Sequence, residues 1–333
     1  MKKKKLTINK SLLITKNKNK FSYQIKKLKL NKIKKNEVLI KVIYSSLNYK
    51  DILIGKGNPG LVRKYPHVPG IDCTGKVLLS NSKQYKKGDK VMVIARPAGI
   101  NSFGTLSEYF ISPSQWVEKI PSKLNLKIPI IFGTAGFTAL LAVENIIKYK
   151  VKKNLPILIT GASGGVGLIS TIVLIKHGYK VVSLTSNVKK NSKYLLNLGV
   201  SKVIDLKTYS KALDHPILKA KYGAIIDNIG GSIVSYGSRE LIQNGILISI
   251  GNAQSNHAKI NVLTLILRGI KILGINAEST SELIRRKIWN KLSYYIKEKE
   301  LKNIHKIYEF KDSVKIFKKV INKKYFGRII FKV

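Results

Sequence analysis

The sequence predicts an α/β protein that combines a barrel-like β domain with a doubly wound parallel sheet. Residues 1–120 contain short apolar segments separated by turn signals, which is typical of an all-β, barrel-like unit. From Ile157 onward, strand-like and helix-like segments alternate, which indicates parallel βαβ units. A glycine-rich stretch stands at the first of these strand–helix junctions, where such sheets carry their ligand sites.

The chain length fits this division. At 333 residues the protein is too long for one ordinary core, since a domain usually takes roughly 150 residues. We therefore expect a first domain of residues 1–120, completed by residues 299–333, and a second domain of residues 121–298.

The elements of the first domain are short. Glu37–Tyr44 and Asp89–Ile94 read as strands, and the turn signal Pro69-Gly70 separates them. Arg328–Val333 returns to strand-like texture at the end of the chain, so we expect this last strand to rejoin the first domain.

The elements of the second domain follow one another closely. Helices are expected at Pro129–Tyr149, Gly165–His177, Val188–Leu198, Ser232–Gln243 and Ser281–Lys297. Strands are expected at Ile157–Thr160, Lys180–Thr185, Lys202–Asp205, Ala224–Asp227, Ile246–Ile250 and Lys271–Ile275.

The net charge of +45 raises the question of nucleic-acid binding. Only seven of the 62 basic residues are arginine, whereas nucleic-acid readers rely on the arginine fork, and the lysines are spread along the whole chain. We expect no nucleic-acid partner, although the charge will attract anionic ligands.

Cysteine and histidine usage argues against a metal site. Cys73 is the single cysteine, so neither an internal disulfide nor a cysteine-based zinc site can form. The five histidines are scattered without ligand spacing. The apolar stretch after the basic start is too short for a secretory signal, and we expect no membrane span. A cytoplasmic location follows from this interpretation.

The glycine-rich stretch Thr160–Gly167 (TGASGGVG) follows a predicted strand and opens a predicted helix. In this context small residues let the backbone approach a pyrophosphate, and the helix offers free N–H groups to it. We expect dinucleotide binding, with a purely structural glycine turn as the alternative.

The end of the next strand distinguishes NAD from NADP. An acidic residue at that point would bind the ribose 2′-hydroxyl, but the chain has Thr185, Ser186, Asn187 and then Lys189 and Lys190. These groups suit a 2′-phosphate, so NADP(H) is the expected cofactor. The alternative is that the two lysines are ordinary surface residues of a lysine-rich chain.

Several motifs, taken together, resemble the medium-chain dehydrogenase/reductase superfamily, and within it the acrylyl-CoA reductase group of quinone-oxidoreductase-like enzymes. They are Ser45–Asp51 (SSLNYKD), Pro69–Asp72 (PGID), Gly133–Ala139 (GTAGFTA), the GASGGVG loop, Asp227–Gly230 (DNIG) and the closing Gly327-Arg328. Because they run from residue 45 to the C-terminus, the resemblance covers nearly the whole chain.

This resemblance implies a GroES-like catalytic domain, a Rossmann NADP-binding domain, and reduction of a short 2-enoyl-CoA, acrylyl-CoA to propionyl-CoA, by NADPH. The zinc enzymes of the superfamily place a cysteine near Asn48–Asp51 and a His-Glu pair where Ile71-Asp72 stand, so zinc-free chemistry is implied. A homodimer that pairs the edge strand Lys271–Ile275 is also implied.

The resemblance assigns site residues by position. Tyr49 is the candidate hydrogen-bond donor or acid, and Asn48 and Asp51 would orient the site. Tyr49 could instead be an aromatic that packs on the cofactor, and Asp51 a helix cap. Arg63 is not assigned by the resemblance; as one of only seven arginines and near the predicted cleft, it is a candidate partner for a CoA phosphate. Expected cofactor contacts are Tyr49, Thr134, Ser163, Gly164, Gly165, Val166, Thr185, Ser186, Asn187, Lys189, Gly251, Asn252 and Gly327.

Two other functions remain open from the sequence. A quinone or general enone reductase would share the cofactor site but lack a groove for CoA. A nucleotide-sensing or RNA-binding relative would have lost the chemistry and would bind with a strong dependence on salt.

Overall fold

The structure, a computed structural model, describes residues 8–18, 20–209, 217–322 and 325–333. The chain divides into two compact units. Unit 1 comprises residues 1–134 and 301–333, and unit 2 comprises residues 135–300. The first division thus follows Thr134, whereas the sequence placed a boundary after Ile120.

Unit 1 is mainly β. Its strands are β1 (Ile8–Asn17), β2 (Lys20–Lys29), β3 (Glu37–Leu47), β4 (Asp72–Ser80), β5 (Lys90–Val93), β6 (Tyr109–Pro113), β7 (Glu118–Lys119), β14 (His305–Glu309) and β15 (Arg328–Lys332). Its helices are α1 (Tyr49–Gly55), the start of α2 (Lys127–Lys148) and α10 (Ser313–Asn322), with 3₁₀ turns at Ser114–Trp116 and Phe310–Asp312.

One sheet of unit 1 runs in the order β14-β15-β3-β4-β5-β7, with β6 also paired to β3, while β1 and β2 form a separate hairpin. The C-terminal strand β15 pairs antiparallel with β3, in a register that sets Ile329 opposite Leu47. The expectation that the end of the chain rejoins the first domain is therefore confirmed.

The all-β expectation for this domain was too simple. The path of paired strands among the described residues does not close on itself, so the barrel description is loose. Helices α1 and α10 pack in a core with β1 and β15, where Ile54, Phe317 and Phe331 are fully buried. Buried Ile316, Phe317, Val320 and Ile321 follow helical spacing in α10, because one helical face meets the sheet.

Unit 2 alternates strands and helices. Its strands are β8 (Ile157–Thr160), β9 (Val181–Thr185), β10 (Lys202–Asp205), β11 (Tyr222–Asp227), β12 (Leu241–Ser249) and β13 (Lys271–Gly274). Its helices are the rest of α2, α3 (Gly165–Lys176), α4 (Val188–Asn197), α5 (Leu206–Tyr209), α6 (Ser232–Ser238), α7 (Val262–Arg268), α8 (Glu282–Asn290) and α9 (Leu292–Tyr295). A 3₁₀ segment, Glu298–Ile304, spans the division after Glu300 and leads back into unit 1.

The six strands of unit 2 pair in the order β10-β9-β8-β11-β12-β13, and every pair is parallel. The order reverses at β8, so the ends of β8 and β11 mark the switch point where ligands bind in such sheets. The predicted doubly wound sheet is confirmed, and β8 and β10 have the predicted bounds.

Two helix predictions in unit 2 were wrong in extent. The expected helix Ser232–Gln243 ends at Ser238, because the buried Leu241 pairs with Tyr222 and begins β12. The expected helix Ser281–Lys297 is divided into α8 and α9. It stops at Ile296, whose backbone is extended, and the Lys297 amide then donates 2.6 Å to Glu300 Oε2 at the start of a 3₁₀ segment.

Helix α2 is long and apolar enough to cross a membrane by length and composition, contrary to the sequence expectation. However, 78% of its most apolar window is buried inside the protein, as is usual for a core helix. It also contains Gly133 at φ 54° and ψ −160°, which interrupts its helical backbone.

Candidate active site

The first turn of α1 carries the three predicted catalytic residues. Asn48 is the N-cap, and its amide donates 2.8 Å to Asp51 Oδ2. The amide of Gly70 donates 2.8 Å to the other oxygen of this carboxylate. Asp51 is fully buried, and this burial raises its pKa to about 7. Its carboxylate joins the start of α1 to the Pro69-Gly70 turn, as the helix-cap alternative proposed.

Tyr49 differs from its neighbours in being open to solvent. It is the first residue of α1, and 47% of its surface is exposed. Asn48 is 6% exposed, and its side-chain amide donates 2.8 Å to Asp72 Oδ2. The peptide that carries Tyr49 is therefore anchored on both sides by buried polar contacts, while the phenol remains available to a ligand.

Asp72, at the start of β4, is the centre of these contacts. Its carboxylate is fully buried and accepts from Ser46 Oγ at 3.1 Å, Asn48 Nδ2 at 2.8 Å, the Thr134 amide at 2.8 Å and Thr134 Oγ1 at 2.5 Å. A buried carboxylate is tolerated only when such partners and an opposite charge compensate it.

Arg328, at the start of β15, supplies that opposite charge. Its guanidinium lies 3.6 Å from Asp72 Oδ2 and donates to Asn48 Oδ1 at 3.0 Å and to Ser46 Oγ at 2.8 Å. It also donates 3.1 Å to each of two carbonyls, those of Leu47 and Ile131. Arginine suits this position because its fork satisfies several acceptors at fixed angles.

Two of the predicted cofactor contacts are Thr134, which belongs to this polar cluster, and Gly327, which precedes Arg328 in the chain. Thr134 is bonded to Asp72, and its hydroxyl also accepts the amide of Ala95 at 2.8 Å. The preceding Gly133 cannot carry a side chain, since a Cβ there would lie 2.3 Å from the Arg328 guanidinium. Gly327 has φ 71°, and a Cβ would lie 2.1 Å from the carbonyl oxygen of Ile304, so close packing accounts for this glycine.

In unit 2, the glycine loop leaves β8 and opens α3 as the sequence predicted. Gly164 is the N-cap, and Ser163, Gly164, Gly165 and Val166 are half-buried. The cap has no side-chain partner, so the first amides of α3 lack an acceptor within the helix. A Cβ on Gly167 would lie 2.6 Å from the carbonyl oxygen of Gly161. This tight turn, with free amides at a helix N-terminus, fits a pyrophosphate.

A network of hydrogen bonds at the ends of β8 and β11, centred on Asp227, supports this loop. Thr160 Oγ1 donates 2.7 Å to Asp227 Oδ1, and the amide of Gly230 donates 2.8 Å to Asp227 Oδ2. Burial raises the pKa of Asp227. The side chain of Asn228 donates 2.8 Å to the carbonyl of Thr160, while its own Oδ1 is buried with no protein partner among the described residues. An unsatisfied acceptor beside the glycine loop is a further indication of a bound polar ligand.

The end of β9 holds the residues expected to distinguish the two dinucleotides. Thr185 is buried, and its hydroxyl accepts a hydrogen bond of 2.9 Å from the side-chain amide of Asn191. Asn187 caps α4 by accepting the amide of Lys190 at 3.1 Å, and Ser186 is half-buried. Lys189 is exposed in the first turn of α4, where the positive end of the helix adds to its charge.

Gly251 and Asn252 follow β12, next to the hydrogen-bond network of Asp227. A Cβ on Gly251 would lie 2.3 Å from the carbonyl oxygen of Asn228, so the two strand ends approach each other closely. The side chain of Asn252 is exposed and donates 2.6 Å to Asn256. The structure thus places Gly251 beside the glycine loop through Asn228.

Arg63 lies apart from the polar cluster, exposed and on the wall of a surface cavity. No group of three or more metal-ligating side chains occurs within the described ranges 8–18, 20–209, 217–322 and 325–333. Cys73 is fully buried, and burial raises the pKa of its thiol.

Arg328, Asp72 and Thr160 were not predicted as site residues from the sequence. Arg328 and Asp72 were quoted only within motifs, and Thr160 only as the last residue of a strand. Arg328 could have been recognised by its residue type. Only seven of the 62 basic residues are arginine, so each arginine marks a position to inspect for a specific role.

Comparison with known proteins agrees with this architecture. Residues 34–122 match the family model of the alcohol dehydrogenase GroES-like domain. The Bacillus subtilis protein YhfP, which carries the name of a quinone oxidoreductase, is 32% identical, with 98% of this chain and 99% of YhfP aligned. The acrylyl-CoA reductase AcuI of Ruegeria pomeroyi is 32% identical over 81% of this chain and 82% of its own length.

Solved structures extend the comparison to the whole fold. The YhfP crystal structure with NAD bound superposes with a TM-score of 0.91, covering 98% of this chain and 100% of that one. The Salmonella enterica yhdH oxidoreductase, in complex with NADP, is 26% identical and also reaches 0.91, covering 97% and 99%. The chain therefore belongs to the medium-chain dehydrogenase/reductase superfamily of oxidoreductases, in the quinone-oxidoreductase-like group that includes YhfP and AcuI.

Proposed function

We propose that this protein uses NADPH to reduce the carbon–carbon double bond of a short 2-enoyl-CoA, with acrylyl-CoA as the substrate and propionyl-CoA as the product. The observation that carries the cofactor part is the glycine turn at α3, with its unpartnered first amides and the open acceptor of Asn228. Similarity to AcuI over 81% of the chain supports the substrate.

The residues that would hold the dinucleotide belong to unit 2. The amides of Gly165 and Val166 would bind the pyrophosphate, and Ser163 would line the same turn. Lys189, with Ser186 beside the α4 N-terminus, would bind the 2′-phosphate. YhfP was crystallised with NAD, but this chain has no acid after β9 to hold a free 2′-hydroxyl, which favours NADP here.

The chemistry that bound NADPH supplies is a hydride for the β-carbon of the enoyl group, and negative charge then develops on the thioester oxygen. Tyr49 is the proposed donor of a hydrogen bond or proton, because its phenol is exposed beside the anchored Asn48. Asn48 and Asp51 act as positioning residues, since their side chains are engaged in buried contacts with Asp72, Gly70 and the α1 backbone.

Quinone or enone reduction is the competing function, and the name of YhfP supports it. Both functions use the same cofactor and differ in the acceptor. The deciding experiment follows NADPH absorbance with acrylyl-CoA, crotonyl-CoA and a simple quinone in parallel, with NADH and a chelator as controls. Turnover on acrylyl-CoA that prefers NADPH and resists the chelator is expected. Turnover on the quinone alone would replace this proposal with quinone reduction.

The proposed assembly is a homodimer in a cytoplasmic setting. Strand β13 is an edge of the six-stranded sheet, so one side of its backbone is free to pair with another copy. The neighbouring α7 exposes large apolar side chains, with Val262 62%, Ile266 71% and Leu267 56% accessible. Apolar surface next to an open strand edge is typical of an interface.

A further inference from the structure

A surface cavity of about 370 Å³ lies in unit 1, between the end of β1 and the segment that follows α1. Its volume falls in the range of small-molecule sites. The lining residues are Lys16, Gly57, Pro59, Val62, Arg63 and Tyr65.

The cavity carries uncompensated positive charge. Both Lys16 and Arg63 are exposed, and the part of the chain that the structure describes offers neither of them an ion pair. The two segments that form the cavity contain no aspartate or glutamate from residue 8 to 36 and from 52 to 71. The local field therefore favours an anion.

The presence of arginine on the cavity wall is a second indication. Two other arginines of the chain make contacts that lysine could not make in the same way. Arg268 donates to the three carbonyls of Leu218, Arg239 and Leu241, and the buried Arg285 guanidinium lies 4.7 Å from the centre of the Phe137 ring. Among the described residues Arg63 makes no hydrogen bond or ion pair of this kind, and its fork matches the oxygens of a phosphate.

The apolar wall of the cavity is fixed by packing. Tyr65 donates 2.8 Å to the carbonyl of Ile54, and its ring meets the Phe21 ring edge-on at 5.3 Å. Gly57 has φ 80°, and a Cβ there would lie 2.1 Å from the Phe21 ring. A pre-formed cavity binds without the entropic cost of ordering its walls.

Helix α1 connects this cavity to the candidate active site. Tyr49 is its first residue and Gly57 follows its last residue, Gly55, by two positions. The helix rises about 1.5 Å per residue, so the two ends are roughly 10 Å apart. The pantetheine arm of CoA is long enough to bridge such a distance between its thioester and its nucleotide end.

We infer that the Lys16–Arg63 cavity binds the 3′-phosphate of the adenosine end of a CoA thioester. This inference rests on the proposed function, because it assigns the anion to the same substrate. The tyrosine ring and the apolar wall provide a surface for the adenine, and the two cations provide the phosphate contacts.

The test is a binding titration with CoA and with dephospho-CoA, which lacks the 3′-phosphate, on the full chain. Wild type is expected to bind CoA about tenfold more tightly than dephospho-CoA. Arg63→Ala should remove most of this preference, with Lys16→Ala acting in the same direction. Arg286→Ala is the matched control, since it removes one exposed arginine charge from α8 of unit 2, which contributes no residue to the cavity lining.

The outcomes separate this inference from the proposed function. Equal affinity for CoA and dephospho-CoA in wild type, or an equal effect of Arg63→Ala and Arg286→Ala, would overturn it. Competition by inorganic phosphate with no preference between the two CoA forms would also overturn it, by reducing the cavity to a general anion site. Retained discrimination without turnover of acrylyl-CoA would refute only the proposed function.

Discussion

Replacing Arg328 with methionine tests the buried polar cluster of unit 1. The Arg328 side chain is 2% exposed and donates to Ser46, Asn48 and two carbonyls, and it lies 3.6 Å from Asp72. Methionine keeps much of the volume but removes the charge and every donor. Asp72 would then be a buried carboxylate without a cation.

The expected cost follows from these contacts. Removing one partner of a buried ion pair costs about 3–5 kcal/mol. Four lost hydrogen bonds at about 1 kcal/mol each lead to a similar value. We expect Arg328→Met to lower the free energy of unfolding of unit 1 by about 4 kcal/mol, a large part of the roughly 5–15 kcal/mol that a domain possesses.

Urea denaturation followed by tryptophan fluorescence measures this loss. Trp116 lies in unit 1 and Trp289 in unit 2, so a Trp289→Phe background reports unit 1 alone. Arg286→Met, at an exposed position, is the control and should change stability by less than about 0.5 kcal/mol. A loss below about 1 kcal/mol, or strictly additive effects of Asp72→Asn and Arg328→Met in the double variant, would refute the reasoning.

Three further predictions address the other features. Burial raises the pKa of Asp51 to about 7, so the folded protein holds this proton more tightly than the unfolded chain does. The resulting contribution to stability is complete below about pH 4 and is lost as the pH rises through 7. Urea titrations at a series of pH values should show a loss of up to about 4 kcal/mol in wild type but not in Asp51→Asn. Gly167→Ala should weaken NADPH binding at least tenfold in a fluorescence titration, since its Cβ would collide with the Gly161 carbonyl; unchanged affinity would contradict the role of the tight turn. Ile266→Glu should convert a dimer to a monomer in sedimentation at micromolar concentration, and a wild-type protein that is already monomeric would refute the proposed assembly.

The elements of unit 2 could be predicted from the sequence because their signals are local. Each parallel strand is a short apolar run, and the glycine loop lies between two such signals, so β8, α3 and β9 were placed within a residue or two. Helix α10 was missed although its apolar spacing was legible, because the end of the chain was interpreted only as strand-like.

The polar cluster could not be predicted in the same way. The bond between Arg328 and Asn48 joins residues 280 positions apart, and it exists because β15 pairs with β3 in a particular register. Sequence patterns constrain which face of a strand is buried, but they do not determine which distant strand becomes its neighbour. The motif resemblance pointed to Asn48 and Asp51 as residues, but their partners came only from the structure.

The placement of β15 has a consequence for how the protein is made. This strand lies between β14 and β3 in the sheet of unit 1, and it carries the arginine that neutralises Asp72. A ribosome delivers residues 135–300 before it delivers Arg328, so unit 2 has all of its strands while the sheet of unit 1 still lacks β14 and β15. Until then Tyr44–Leu47 of β3 lack their partner strand β15, and Asp72 lacks its cation. The nascent chain that has not yet reached Arg328 is thus the stage most exposed to wrong strand pairing, and loss of the last six residues would make that stage permanent.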